Sequence, residues 1–153
     1  MITVILLNEC NIKNIPTQQQ FQQWINVTLE TMSEKIPNTI SEIGISIIDP
    51  ETSAQLNETY RHKKGPTNVL SFPYQTTPGI TLDSLGDLAI CADVVENEAK
   101  NQHKNSESHW AHMTIHGTLH LLGYDHIVDA DAEKMEAFEI TLLKKLGYGN
   151  PYL

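Results

Sequence analysis

The chain has 153 residues, 40% hydrophobic and 19% charged, which suits one globular domain over residues 1–153 and excludes a disordered chain. No run approaches the roughly 20 apolar residues needed to cross a bilayer. A formal charge of -9 with a pI near 5.1 argues against broad adhesion to nucleic acid or anionic membrane, so any nucleic-acid role must rest on a local basic patch.

The opening segment MITVILLN lacks a basic region ahead of its apolar residues. It reads as a strand, Thr3 to Leu7, of a cytoplasmic protein and not as a secretion signal. From Thr17 to Ile36 the residues Phe21, Trp24, Ile25, Val27, Leu29, Met32 and Ile36 recur at mostly helical spacing, with Thr17 as N-cap and Pro37 as stop. The glutamines Gln18, Gln19, Gln20, Gln22 and Gln23 at its start are read as a solvated face. Further strands are expected at Ile43 to Asp49, Asn68 to Phe72 and Leu85 to Ala92, each rich in Val, Ile, Leu or Phe and bounded by Gly, Pro, Asn or Asp. Helices fit Pro50 to Arg61, Asp93 to Lys104, Glu107 to Leu122 and Ala130 to Leu146, the last ending on Gly147. Tyr74 to Asp83, with its Pro-Gly pair, reads as a loop. This order predicts an α/β (α+β) fold, a small mixed sheet of about four strands packed with about five helices. Strand order cannot be read from it.

Cys10 and Cys91 make neither a disulfide framework nor a thiolate motif, and reduced, partly buried thiols are expected. The histidines are different: five of the seven fall in the run from His109 to His126, HWAHMTIHGTLHLLGYDH. His116 and His120, four residues apart on a helix, share one face and can pinch one ion. Gly123 then lets the chain turn back and present His126. Three imidazoles with one open position describe a catalytic zinc shell. The spacing H-x-x-x-H-x-x-G-x-x-H matches that of metzincin proteases, but Gly117 stands where those enzymes carry their glutamate base. At about 1.5 Å per residue, His109 and His112 lie roughly 16 and 12 Å from the level of His120, too far for the same shell. His112 is a candidate to orient a ligand or contact substrate. His62 and His103 are expected as hydrogen-bonded core residues.

The run MTIHGTLHLLGYDH, preceded by HWAH, resembles the signature of the YbeY family of metal-dependent endoribonucleases, bacterial rRNA maturation factors. LNETYRHKKGPTNVLSFPY from Leu56 to Tyr74, LGDLAIC from Leu85 to Cys91 and LGYGNPY from Leu146 to Tyr152 resemble further motifs of that family, in the same order, while the first 48 residues match only in general pattern. The resemblance implies an ion held by His116, His120 and His126, with Arg61 as the functional arginine. It also implies cleavage of single-stranded RNA in maturation of the 16S rRNA 3' end and in ribosome quality control.

Arg61 also stands on its own chemistry. It is the only arginine, it opens the dense basic run Arg61, His62, Lys63, Lys64, and a guanidinium binds phosphate through two parallel hydrogen bonds as lysine cannot. The bland alternative is a solvated turn before Gly65 and Pro66. Asp87 and Asp125 are candidates to orient ligands or substrate, with Asp125 equally suited to cap the turn after Gly123, whereas Ser71, Cys91 and Trp110 read as core or strand residues. The expectation is therefore a zinc-dependent endoribonuclease, with Arg61 and His116 catalytic and Arg61, Lys63, Lys64 and His112 toward substrate. Its partners would be precursor rRNA and the ribosome, with neither membrane nor DNA involved. Two rivals remain: a non-catalytic ribosome-assembly factor with a structural metal, and a zincin-like peptidase, which Gly117 disfavours.

Overall fold

Four strands, β1 (Thr3–Leu7), β2 (Glu42–Ile48), β3 (Val69–Pro73) and β4 (Ser84–Cys91), form one sheet in the order β1-β2-β4-β3. The computed structural model describes residues 2–74, 78–124 and 129–153. β1, β2 and β4 run parallel, and β3 is the antiparallel edge, paired Val69 to Ile90 and Phe72 to Asp87. A helix occupies the crossover from β1 to β2, as a parallel connection requires. The helices are α1 (Gln18–Thr31), α2 (Pro50–Arg61), α3 (Ala92–Asn101), α4 (Ser106–Leu121) and α5 (Asp129–Lys145). The mixed sheet and its helices are the α/β fold class that the periodicities predict, with element ends shifted mostly by a residue or two.

Thr17 caps α1 in a reciprocal box: its hydroxyl accepts from the Gln20 amide while the Gln20 side chain accepts from the Thr17 amide. The helix is shorter than expected, giving way at Met32 to a single 3₁₀ turn, Ser33–Lys35. Pro37 accounts for the extended Ile36, because proline disfavours helical backbone at the residue before it, but the α-helix has already ended at Met32. The glutamines at its start are more than a solvated face. Gln18 Nε2 donates to the Val4 carbonyl at 2.6 Å, Gln22 Oε1 accepts from the Val4 amide at 2.9 Å, and Gln22 Nε2 donates to the Ile2 carbonyl at 2.8 Å. These side chains occupy backbone groups along β1, a strand with a neighbour on one side only, where open groups invite pairing with another chain.

The main core lies on one face of the sheet, where Val4, Ile43, Ile45, Ile47, Leu88 and Ile90 meet Phe21, Trp24, Trp110 and Ile115 from α1 and α4. Phe21 packs edge-on against both tryptophans, with ring centroids 5.5 and 6.0 Å apart. α2 lies on the opposite face: the Tyr60 ring packs on Phe72 at 5.1 Å, and Phe72 shares its register position with Asp87, whose neighbour Leu88 points the other way toward α4. α4 is therefore enclosed by the sheet, α1, α3 and α5, and is buried around most of its circumference. His62 and His103 are not core residues. Both are exposed, in left-handed conformation with φ of 57° and 54°, His62 as the C-cap of α2 and His103 just beyond α3. Among the described residues no helix is long and apolar enough to cross a membrane.

Candidate metal centre

α4 carries the histidine stripe. Its start is fixed by Asn105, whose side chain accepts from the Ser108 amide. Its end closes as the glycine predicts: Gly123 has φ +95°, its amide donates to the His120 carbonyl at 3.0 Å, and the Tyr124 amide donates to the Leu119 carbonyl at 3.0 Å. This paired termination turns the chain sharply just past His120. Asp125 and His126 lie outside the described residues.

Within the stripe, His116 Nε2 and His120 Nε2 face each other at 3.2 Å, with ring centroids 4.7 Å apart. Two imidazoles bound tetrahedrally to one zinc at ~2.0–2.1 Å have their nitrogens about 3.3 Å apart, so the pair has the spacing of two ligands on one ion. Behind His116 stands Glu139 from α5, a residue the sequence reading did not single out. Glu139 Oε1 accepts from His116 Nδ1 at 3.1 Å, and Oε2 accepts from the Tyr152 hydroxyl at 2.9 Å and makes a short contact with His112 Nε2. The side chain of Glu139 is 1% exposed. Burial pushes its pKa up, but the hydrogen bonds from His112 and His116 outweigh that and bring it down to about 2, so the group is a carboxylate. Burial and the adjacent Glu139 carboxylate push the Tyr152 hydroxyl above the usual phenol range, which keeps it a donor.

His112, His116 and Glu139 place three ligand atoms within 4.8 Å of one another, a group that can hold a metal ion. Its carboxylate already receives three hydrogen-bond donors, whereas His116 Nε2 and His120 Nε2 stand 3.2 Å apart as a second candidate pair of ligand atoms. His112 is 6% exposed, and its Nε2 is turned to Glu139. His109 is equally buried but pairs with Glu98 at 3.0 Å, which also accepts from Asn68, and so ties α4 to α3 and the start of β3. A cleft of about 260 Å³ borders His116, Met135, Glu136 and Tyr152. A larger cavity of about 350 Å³ beside α1 is lined by Ile2, Leu29, Ile36 and Ile40 among others, with no histidine or arginine, and does not compete as the site.

Position 117 settles why the zincin glutamate is missing. A Cβ there would lie 2.9 Å from both Leu88 Cδ2 and Val69 Cγ2 and 3.3 Å from Ser71 Oγ, so this side of α4 is pressed against the sheet. A side chain at 117 would therefore meet the sheet at its first carbon.

Arg61 is exposed at the end of α2, as are Lys63 and Lys64 beyond it. The link between this run and the histidines passes through two consecutive residues of the edge strand. Ser71 Oγ donates to the Gly117 carbonyl at 2.9 Å on the α4 side, while Phe72 carries the Tyr60 ring on the α2 side. Asp87 lies with Tyr74, whose hydroxyl donates to it at 3.1 Å, on the face away from α4, and does not meet His116 or His120. Its carboxylate covers Gly44, where a Cβ would come within 2.0 Å of Oδ1.

The family model described as Endoribonuclease YbeY matches residues 6–147. The Endoribonuclease YbeY of Colwellia psychrerythraea is 50% identical over 144 residues, 94% of this chain and 92% of its own length. That of Coxiella burnetii is 48% identical over 153 residues, 99% of each chain. The solution structure of a Thermotoga maritima protein, 22% identical, superposes with a TM-score of 0.60 over 96% of this chain and 92% of that one, and shows the same fold. The match begins inside β1, so the likeness extends well ahead of the motifs from Leu56 onward. On the family model and these relatives, the chain belongs to the YbeY family of endoribonucleases.

Proposed function

We propose that the protein is a zinc-dependent endoribonuclease that hydrolyses phosphodiester bonds of single-stranded RNA during rRNA maturation, in the cytoplasm and at the ribosome. The ion would be held by His116, His120 and His126, the last on the strength of the sequence motif. The observation that carries this reading is the convergence of His116 Nε2 and His120 Nε2 at 3.2 Å in a member of an endoribonuclease family. An ion bound there supplies a Lewis acid able to polarise a phosphoryl oxygen or lower the pKa of water. The protein's part is to hold two imidazoles in one orientation, through Glu139 on His116 and through the glycine-closed end of α4 beyond His120. Arg61, exposed at the end of α2 and the only guanidinium in the chain, binds the phosphate through its planar fork, with Lys63 and Lys64 adding charge. The partial exposure of His116, 23% for its side chain, favours a site open to substrate over a closed structural one.

Cleavage of a labelled single-stranded RNA, lost on chelation and restored by zinc, tests the reading. Casein left intact under the same conditions excludes the peptidase, and RNA bound but never cut by metal-replete protein would favour the assembly factor. Arg61→Ala should retain the metal and lower cleavage on the order of 10²-fold, by analogy with removal of one charge-stabilising donor. Arg61→Lys tests whether the fork matters beyond charge. Metal-replete Arg61→Ala cutting at the wild-type rate would return the basic run to a solvated turn.

A further inference from the structure

We propose that Glu139 is the positioning residue of the metal centre: its carboxylate selects the His116 tautomer protonated at Nδ1, which leaves Nε2 as the ligand atom facing His120. The inference rests on the reading of His116 and His120 as ligands and extends it to a residue on another helix. Three geometric facts carry it. First, Glu139 Oε1 lies 3.1 Å from His116 Nδ1, while His116 Nε2 lies 3.2 Å from His120 Nε2, so the two ring nitrogens have different partners on opposite sides. A carboxylate only accepts, so the proton must sit on Nδ1. Second, the carboxylate is itself held: Oε2 engages both His112 Nε2 and the Tyr152 hydroxyl, which removes its freedom to rotate away from His116. Third, it occupies a costly place. Met135, Glu139, Leu142 and Leu143 are the buried residues of α5, and a carboxylate on such an apolar stripe is destabilising unless it is fully partnered. An apolar residue would pack there, but it could not fix a ring.

The arrangement gives His112 and Tyr152 a shared purpose. Neither reaches His116 directly through a hydrogen bond; both act on the carboxylate that does. Lys104 Nζ donates to the Pro151 carbonyl at 2.6 Å and so pins the segment that carries Tyr152. The ligand His116 is thus set by a chain of contacts from α4, α5 and the C-terminal segment.

The test uses Glu139→Gln, which keeps volume, and two readouts other than cleavage. In the metal-free wild type at pH 8, ring ¹⁵N shifts should report His116 as the Nδ1-protonated tautomer, and in Glu139→Gln that preference should weaken or invert. Zinc affinity, measured by competition with a chromophoric chelator, should fall about 10–100-fold in Glu139→Gln, the usual effect of removing such an outer partner. A residue that merely fills space would leave the tautomer unchanged. Wild-type His116 found protonated on Nε2 overturns the proposal even if the variant fails to fold. So does a folded Glu139→Gln that binds zinc as tightly as wild type. Failure of the underlying reading looks different: there His120→Ala keeps its zinc.

Discussion

Gly117→Glu, the substitution that would complete a zincin motif, should leave the protein unfolded. The Cβ alone meets Leu88 Cδ2 and Val69 Cγ2 at 2.9 Å, and overpacking of this kind costs about 1–3 kcal/mol. A carboxylate driven between those side chains adds a desolvation penalty of several kcal/mol with no cation to meet it. Together these approach or exceed the whole stability of an ordinary domain, about 5–15 kcal/mol. The Ser71 hydroxyl, 3.3 Å from that Cβ, would also lose its place on the Gly117 carbonyl. Gly117→Ala separates the terms, since alanine gains about 1 kcal/mol of helix propensity against the overpacking and should remain folded with a slightly lower urea midpoint. The measurement is urea unfolding of all three proteins without metal. A folded Gly117→Glu with the wild-type midpoint would show that α4 can shift off the sheet, and the steric account of the missing glutamate would fail.

Much of the fold around position 117 is legible in the sequence. Helices and strands were readable because their periodicity is local: α2 begins at Pro50 and ends at Arg61 and β1 spans Thr3 to Leu7, as the pattern predicts. The placement of β3 outside β4 was not readable, because parallel pairing of β2 with β4 is decided by packing across the chain. Spacing alone brought His116 and His120 together, since four residues on a helix fix both rings on one face. It could not say which neighbour each ring's other nitrogen meets, and so it missed Glu139. A signal did exist: Met135, Glu139, Leu142 and Leu143 follow helical spacing, and a carboxylate inside that stripe breaks the pattern in a way that asks for a partner. Gln18 and Gln22 were misread for the complementary reason, that polar residues beside a strand edge can bond to its backbone while remaining partly in water. The two misplaced histidines, His62 and His103, sit where helices end and the backbone turns left-handed, a role that composition does not announce.

Removing either converging imidazole should have the largest effect on function. His120→Ala takes away one of two Nε2 atoms 3.2 Å apart, and its stoichiometric zinc should be lost on dialysis. If the ion supplies about 4 kcal/mol of transition-state stabilisation, RNA cleavage falls about 10³-fold. His126→Ala should behave alike, on the sequence motif. Two further substitutions on α4 make the result specific. His109→Gln lies on the same stripe, but its ring faces Glu98, so zinc content and cleavage should stay near wild type. His112→Gln decides between the two groupings of ligand atoms. If His112, His116 and Glu139 held the ion, this variant would lose its zinc and His120→Ala would keep it; with the Nε2 pair as cradle the order is reversed, and His112→Gln shows only weakened affinity. Acidification should release the ion from wild type as the imidazoles gain protons and cease to be ligands. Full zinc occupancy in His120→Ala at neutral pH would end the assignment of His116 and His120 as a ligand pair, whatever the RNA assay showed.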